Sequence, residues 1–245
     1  MKIFHALVIA LQFLTRLPVP QRIHFTREAQ GWSVVWYPLV GLLIGALLIL
    51  MQGLLAGTGP FLASALSLTA WVWLTGGLHL DGLADCADAW VGGQGSRERS
   101  LRIMQDPYSG PIAVAAILLL LLLKFASLVE LAGRSNLMPL LWTPAIGRSI
   151  VPILLLTTPY VRPSGLGSSL AECLPHLAGW LAALFSLAFA LLMLGPWPLL
   201  AAALTIWWLR VLMLRRLGGC TGDTLGASIE ITEAVVLVAC ALVWA

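Results

Sequence analysis

Long apolar runs, separated by short glycine- and proline-bearing turns, repeat along most of this chain. Runs of roughly 17 to 25 apolar residues are long enough to cross a bilayer as helices. Seven are predicted: 33–56, 60–78, 111–131, 137–158, 177–194, 197–214 and 227–245. Gly57-Thr58-Gly59 and Gly195-Pro196 are turn signals that make their flanking runs hairpins of adjacent helices. Between Lys2 and Pro18 a basic residue precedes an apolar run. Gln12, Thr15, Arg16 and Pro18 then stand where a cleavage site would need small residues. That stretch is predicted as an amphipathic helix lying at the interface. No internal repeat or low-complexity linker interrupts the pattern. The expected fold is all-α: a polytopic transmembrane bundle of about seven spans with an N-terminal interfacial helix, one catalytic domain over 1–245.

Composition changes the picture only in confirming the solvent. Hydrophobic residues make up 60% of the chain and charged ones 10%, against about a quarter charged in soluble domains. Such a chain cannot cover its surface with polar groups, so lipid is its expected surrounding. The net charge of +3 points to no nucleic-acid partner. Cys86, Cys173, Cys220 and Cys240 are scattered without a CxxC pair and read as free thiols. Lys2, Arg16, Arg22, Arg27, Arg97, Arg99, Arg102, Arg162, Arg215 and Arg216 all fall on one side of a seven-span chain. Arg134 falls on the other. Basic loops stay inside, so the N-terminus is expected to be cytoplasmic, the C-terminus outside, and the membrane the bacterial inner membrane.

Acidic residues are few and grouped. Five of the eleven lie between Asp81 and Asp106, and three more between Asp223 and Glu233. Asp81, Asp85 and Asp88 stand at i, i+4 and i+7, which is one face of a helix. Bare carboxylates so placed repel one another. Oxygen ligands of this kind suit Mg²⁺, which takes a few carboxylates and completes its shell with water and substrate phosphate oxygens. The plain alternative is a solvated helix start. The expected metal ligands, and catalytic groups, are Asp81, Asp85 and Asp88, with Asp106 as a further catalytic residue. Asp106 has its own plain reading as part of a turn before a helix with Pro111 at its first position. Arg97, Arg99 and Arg102 are either phosphate ligands or ordinary inside-loop cations.

A second polar segment runs from Gly218 to Glu233. Gly219, Thr221, Gly222, Asp223 and Thr224 are candidate substrate contacts, because glycines let backbone N–H groups approach a phosphate at a helix start. Otherwise the segment is a loop with Asp223 capping the last helix. Lys124 and Arg148 fall deep in apolar runs, where a charge costs about 3 kcal/mol or more. They bind an anion, or they form a structural ion pair with one of the acids. Both, with Glu233 and His79, enter the candidate substrate site. His5, His24 and His176 do not cluster with it.

Three stretches resemble one family. They are Phe13-Leu14-Thr15-Arg16-Leu17-Pro18-Val19-Pro20, the run from Gly76 to Asp88, and Gly219 to Ala227. Gly147-Arg148 and Tyr160-Val161-Arg162-Pro163-x-Gly165-Leu166-Gly167 extend the likeness along the chain. Together they are similar to the cobalamin synthase family, the adenosylcobinamide-GDP ribazoletransferases. The stretch Asp106-Pro107-Tyr108-Ser109-Gly110-Pro111 departs from that pattern, so no role carries over to Pro107–Ser109. The resemblance implies that adenosylcobinamide-GDP is joined to α-ribazole or its 5′-phosphate. GMP leaves, Mg²⁺ is required, and the product is adenosylcobalamin or its 5′-phosphate. It is compatible with a homo-oligomer or a complex with other nucleotide-loop enzymes. From the residues alone two alternatives stay open: a membrane CDP-alcohol-type phosphotransferase acting on a lipid alcohol, and a small-solute transporter.

Overall fold

The structure is a computed structural model that describes residues 2–19, 25–132, 134, 136–162 and 166–244. Pro20, Arg22, His24, Pro163, Gly165 and Ala245, used in the sequence reading, lie outside the described residues. The helices are α1 (Lys2–Leu14), α2 (Arg27–Ser33), α3 (Tyr37–Leu54), α4 (Pro60–Thr75), α5 (Leu78–Gly92) and α6 (Arg97–Ile103). They continue with α7 (Pro111–Ala132), α8 (Met138–Thr157), α9 (Leu166–Glu172), α10 (His176–Leu194), α11 (Pro196–Leu217) and α12 (Gly222–Val243). A 3-10 turn, Val34–Trp36, joins α2 to α3. Among the described residues the only β pairing is one isolated parallel bridge, Tyr160 with Cys220.

Six stretches are long and apolar enough to cross a membrane, the first being Arg27–Leu54. The second predicted span, 60–78, is cut short at Thr75, where α4 ends. α4 and α5 together pass the same test but meet at an 88° bend. Gly76 and Gly77 cause it, both in the left-handed region at φ 66° and 71°, where a side chain would strain the backbone. The chain is therefore a multi-pass membrane protein in which α4 and α5 form either a broken crossing or a re-entrant pair. Leu118, Leu122, Leu192 and Trp207 on α7, α10 and α11 are more than half exposed, an apolar surface that only lipid can cover. The N-terminal helix forms as expected. At 13 residues it is about 20 Å long, too short for a hydrocarbon core of about 30 Å. Its Ala6, Ile9, Ala10 and Leu14 are buried.

α8 lies at the centre and is buried along most of its length. Gly41 and Gly45 of α3 let that helix come against it. A Cβ at Gly41 would stand 2.5 Å from the Ala145 Cα, and one at Gly45 would stand 2.3 Å from the Leu141 carbonyl oxygen. Small residues four apart permit this contact between spans. Gly45→Val is expected to lower stability by about 3 kcal/mol or more, since backbone cannot yield as a side chain can. A thermal melt of the detergent-solubilised protein checks it. All four cysteines are free.

Candidate active site

α5 carries the three aspartates, and α12 begins with the glycine-rich segment. The two helices meet through glycine. A Cβ on Gly82 would lie 2.7 Å from the Asp223 carbonyl oxygen and 3.0 Å from its Cα, and one on Gly226 would lie 3.3 Å from the His79 Cα. These paired contacts run α5 antiparallel to α12 and set Asp223 beside the aspartate face. Asp85, half-buried, sits in the field of Asp223, Asp81 and Asp88, with Arg162 as the counter-charge. Asp81 is exposed. The mouth is thus a patch of carboxylate oxygens from two helices.

Asp88 departs from the expected trio. Its Oδ2 accepts from the Gly110 N–H at 2.5 Å and its Oδ1 from the Ala113 N–H at 3.0 Å. The first turn of α7 has orphan donors, and Asp88 satisfies two of them. Each of its oxygens thus accepts one backbone N–H and keeps a further lone pair. Asp88→Ala is expected to cost about 1–2 kcal/mol, the usual worth of a cap, whereas Asp81→Asn is expected to leave stability near that of the parent. Chemical or thermal unfolding in detergent separates the two. Among the described residues no three His, Cys, Asp or Glu side chains form a ready metal cage. The donor set still fits a hard divalent ion. It is all oxygen, exposed on one side, and Mg²⁺ favours a few carboxylates completed by substrate phosphate.

The glycine-rich segment is held by an unforeseen partner. The Cys220 N–H donates to the Pro159 carbonyl at 2.8 Å, and the Val161 N–H donates to the Cys220 carbonyl at 2.9 Å. Gly219 is needed there, because a Cβ would stand 2.1 Å from the Pro159 oxygen. This pairing brings Arg162 to Asp223, with Nη2 2.6 Å from Oδ2. Arg162 Nη2 also donates to the Met104 carbonyl at 3.3 Å. Asp223 is therefore not the cap of α12. Thr221 is: its hydroxyl accepts from the Thr224 N–H at 3.2 Å, and the Thr224 hydroxyl accepts from the Thr221 N–H at 2.8 Å. The helix consequently starts at Gly222, five residues earlier than the apolar pattern predicts.

Lys124, Arg148 and Glu233, expected to face substrate, are instead sealed inside the bundle, each at most 2% exposed. His79 is 3% exposed. Asp106 is exposed and stands in a turn, its Oδ1 accepting from the Tyr108 N–H at 3.1 Å. It borders a separate cavity of about 290 Å³ with Arg99 and Arg102.

The sequence model of the cobalamin-5-phosphate synthase family matches residues 6–241. The chain belongs to that family. Among similar curated proteins of the family, one from Pseudomonas aeruginosa is 53% identical over 241 residues, covering 97% of this chain and 98% of its own. One from Pseudomonas paraeruginosa is 54% identical over 239 residues, with 97% and 98% covered. One from Pseudomonas putida is 54% identical over 236 residues, with 96% and 98% covered. Each bears the name adenosylcobinamide-GDP ribazoletransferase. No solved structure matches.

In this cobalamin-5-phosphate synthase chain, the site residue that sequence reasoning passed over is Arg162. From spacing alone it is an inside-loop cation, though its Tyr160-Val161-Arg162 stretch carries part of the family likeness. An apolar cavity of about 250 Å³ is also new, lined by Leu83, Ala87, Trp90, Met104, Trp208 and Ala227 among others. Leu83, Ala87 and Trp90 follow the three aspartates by two positions, about 200° round the helix. The cavity therefore backs onto α5 from the side opposite the carboxylates.

Proposed function

We propose that this chain is an adenosylcobinamide-GDP ribazoletransferase working at the carboxylate mouth between α5 and α12. The observation that carries the reading is the near-complete, 53–54% identical match to proteins of that name. The mouth supports it with chemistry of the right kind. A ribose hydroxyl of α-ribazole, or of its 5′-phosphate, attacks the phosphorus that bears the cobinamide arm. The bond from that phosphorus to GMP breaks, and the hydroxyl proton passes to a base. Phosphoryl transfer of this sort depends mainly on positioning and charge stabilisation.

Asp81 and Asp85, with Asp223 opposite, would hold Mg²⁺. When bound, the ion supplies neutralisation of the diphosphate and of departing GMP. Asp88 holds the start of α7 beside them and orients the Asp106 loop. The proton acceptor is placed among the mouth carboxylates. Burial disfavours the charge on Asp223, and Arg162, paired with it, opposes that penalty and aims the carboxylate. At the start of α12 the backbone of Gly222 and Asp223, outside the Thr221–Thr224 cap, is the part of the glycine-rich segment offered to substrate phosphate. Asp106, Arg99 and Arg102 form the outer rim, where the two guanidinium groups suit phosphate oxygens. The basic loops support a cytoplasmic position for this mouth at the inner membrane.

The test is purified protein in lipid nanodiscs, given adenosylcobinamide-GDP and α-ribazole 5′-phosphate, with and without Mg²⁺, following GMP. Release that needs both substrates and Mg²⁺ is expected. Absence of GMP from well-inserted protein would sink the reading. The family match removes the footing of the lipid-alcohol and transporter alternatives.

A further inference from the structure

Behind the mouth lies a closed group of four charges from three helices. Lys124 Nζ on α7 donates to Glu230 Oε2 and to Glu233 Oε2 on α12, each at 2.6 Å. Arg148 Nη1 on α8 donates to Glu233 Oε1. All four side chains are buried, Arg148 and Glu233 completely. Lys124 also sits 4.7 Å from the centroid of the Trp71 ring on α4. His79 of α5 lies in the field of Arg148 and Lys124. Both of its ring nitrogens are buried with no hydrogen-bond partner among the described residues. Its Cα rests on Gly226 of α12. A Cβ on Gly147 would stand 2.8 Å from Glu233 Cγ, so α8 and α12 touch at the same level.

Burying charge costs several kcal/mol per ion unless it is paired and hydrogen-bonded. Here two cations and two anions cancel, which makes the group tolerable. Stability alone does not explain it, because apolar residues of the same volume often serve as well or better. Ion pairs do one thing that apolar packing does poorly: they fix register. Glu230 and Glu233 lie seven and ten residues beyond Asp223, roughly 10 and 15 Å along α12. Locking them to α7 and α8 sets the height of Asp223. His79, two residues before Asp81, packs on Gly226 of α12 and lies in the field of Lys124 and Arg148.

We propose that Lys124, Arg148, Glu230 and Glu233, with His79 as the contact to α5, are an electrically neutral positioning lock for the carboxylate mouth. They hold Asp223 opposite Asp81 and Asp85. Their zero sum leaves the mouth's negative potential to the aspartates. They are positioning residues and do not touch substrate. This rests on the reading of the mouth as a divalent-ion site.

The sign of a charge effect tests it. Mn²⁺ binding to the protein in nanodiscs, without substrate, is measured by electron paramagnetic resonance. Glu230→Gln leaves one excess positive charge in the lock. It is expected to weaken Mn²⁺ binding about tenfold, the scale of one uncompensated charge at this range near a partly aqueous mouth. Lys124→Met leaves one excess negative charge and is expected to tighten Mn²⁺ binding while lowering kcat. The double variant is neutral again and should return to within about threefold of parental affinity. A merely structural role predicts instead that all three variants weaken binding in order of their lost thermal stability, with the double worst; that pattern would overturn the proposal. So would unchanged affinity in both single variants. If Glu230→Gln does not insert, the direction of the Lys124→Met shift carries the test alone. Failure of the unaltered protein to bind Mn²⁺ would remove the divalent-ion reading itself, and the lock's charge role with it.

Discussion

Asp85→Asn is expected to lower Mg²⁺-dependent GMP release on the order of 10³-fold, with little change in the melting temperature. Asparagine keeps the volume and one oxygen but removes the charge. Asp85 is the carboxylate that meets every other member of the mouth, lying in the field of Asp223, Asp81, Asp88 and Arg162. Its loss relieves repulsion among the remaining acids, so the variant should fold at least as well as the parent. It also removes an oxygen donor that a divalent ion facing a diphosphate needs. The loss should therefore sit in kcat and in the Mg²⁺ concentration for half-activity. Stopped and steady-state GMP assays over a Mg²⁺ titration give both. Full Mg²⁺-dependent turnover in a well-inserted Asp85→Asn protein would mean that the ion is held elsewhere.

Gly82→Val should be nearly as damaging by a different route. The first added carbon at Gly82 would meet the Asp223 carbonyl oxygen at 2.7 Å and its Cα at 3.0 Å. The obstacle is backbone, so α5 and α12 must part. A displacement of about 1 Å in an oriented site can cost 10²-fold in rate, and losses of that order are expected here. The comparison is Gly53→Ala, also in a helix, where an added Cβ meets nothing within 4 Å. Helix propensity favours alanine there, so activity should be unchanged. A double variant, Gly82→Val with Asp85→Asn, should lose little more than Asp85→Asn alone, since both disable one unit. Additive losses would separate the α5–α12 contact from the carboxylate site.

The aspartate face shows how far spacing carries. The offsets of Asp81, Asp85 and Asp88 predict one helical face, and α5 supplies it. Spacing does not say where the carboxyl groups end. Asp88 turns to the amides of Gly110 and Ala113 because α7 happens to begin there, an accident of assembly. The same holds for Arg162, whose role depends on a backbone bridge between residues sixty positions apart, Tyr160 and Cys220. The glycine-rich segment looks like a phosphate loop from its composition. Its two threonines are instead occupied with each other at the helix start, a short-range motif visible in the Thr-x-x-Thr spacing. Lys124 and Arg148 were legible as charges needing partners. Which acids they chose was not, because both Glu230 and Glu233 sit within reach along one helix.

From the order of residues alone came the solvent, six of the apolar crossings, the helix that bears the aspartates and the family likeness. These depend on local quantities: apolar run length against bilayer thickness, the period of the helix, and motif residues in sequence. Only the assembled bundle decided that the chain bends by 88° at Gly76 and Gly77, that Asp223 stands beside Asp81 and Asp85, and that the deep charges answer one another. Those outcomes depend on how closely two backbones approach and on which charge lies nearest once water is excluded. Both are properties of contact between distant segments, and no single segment encodes them.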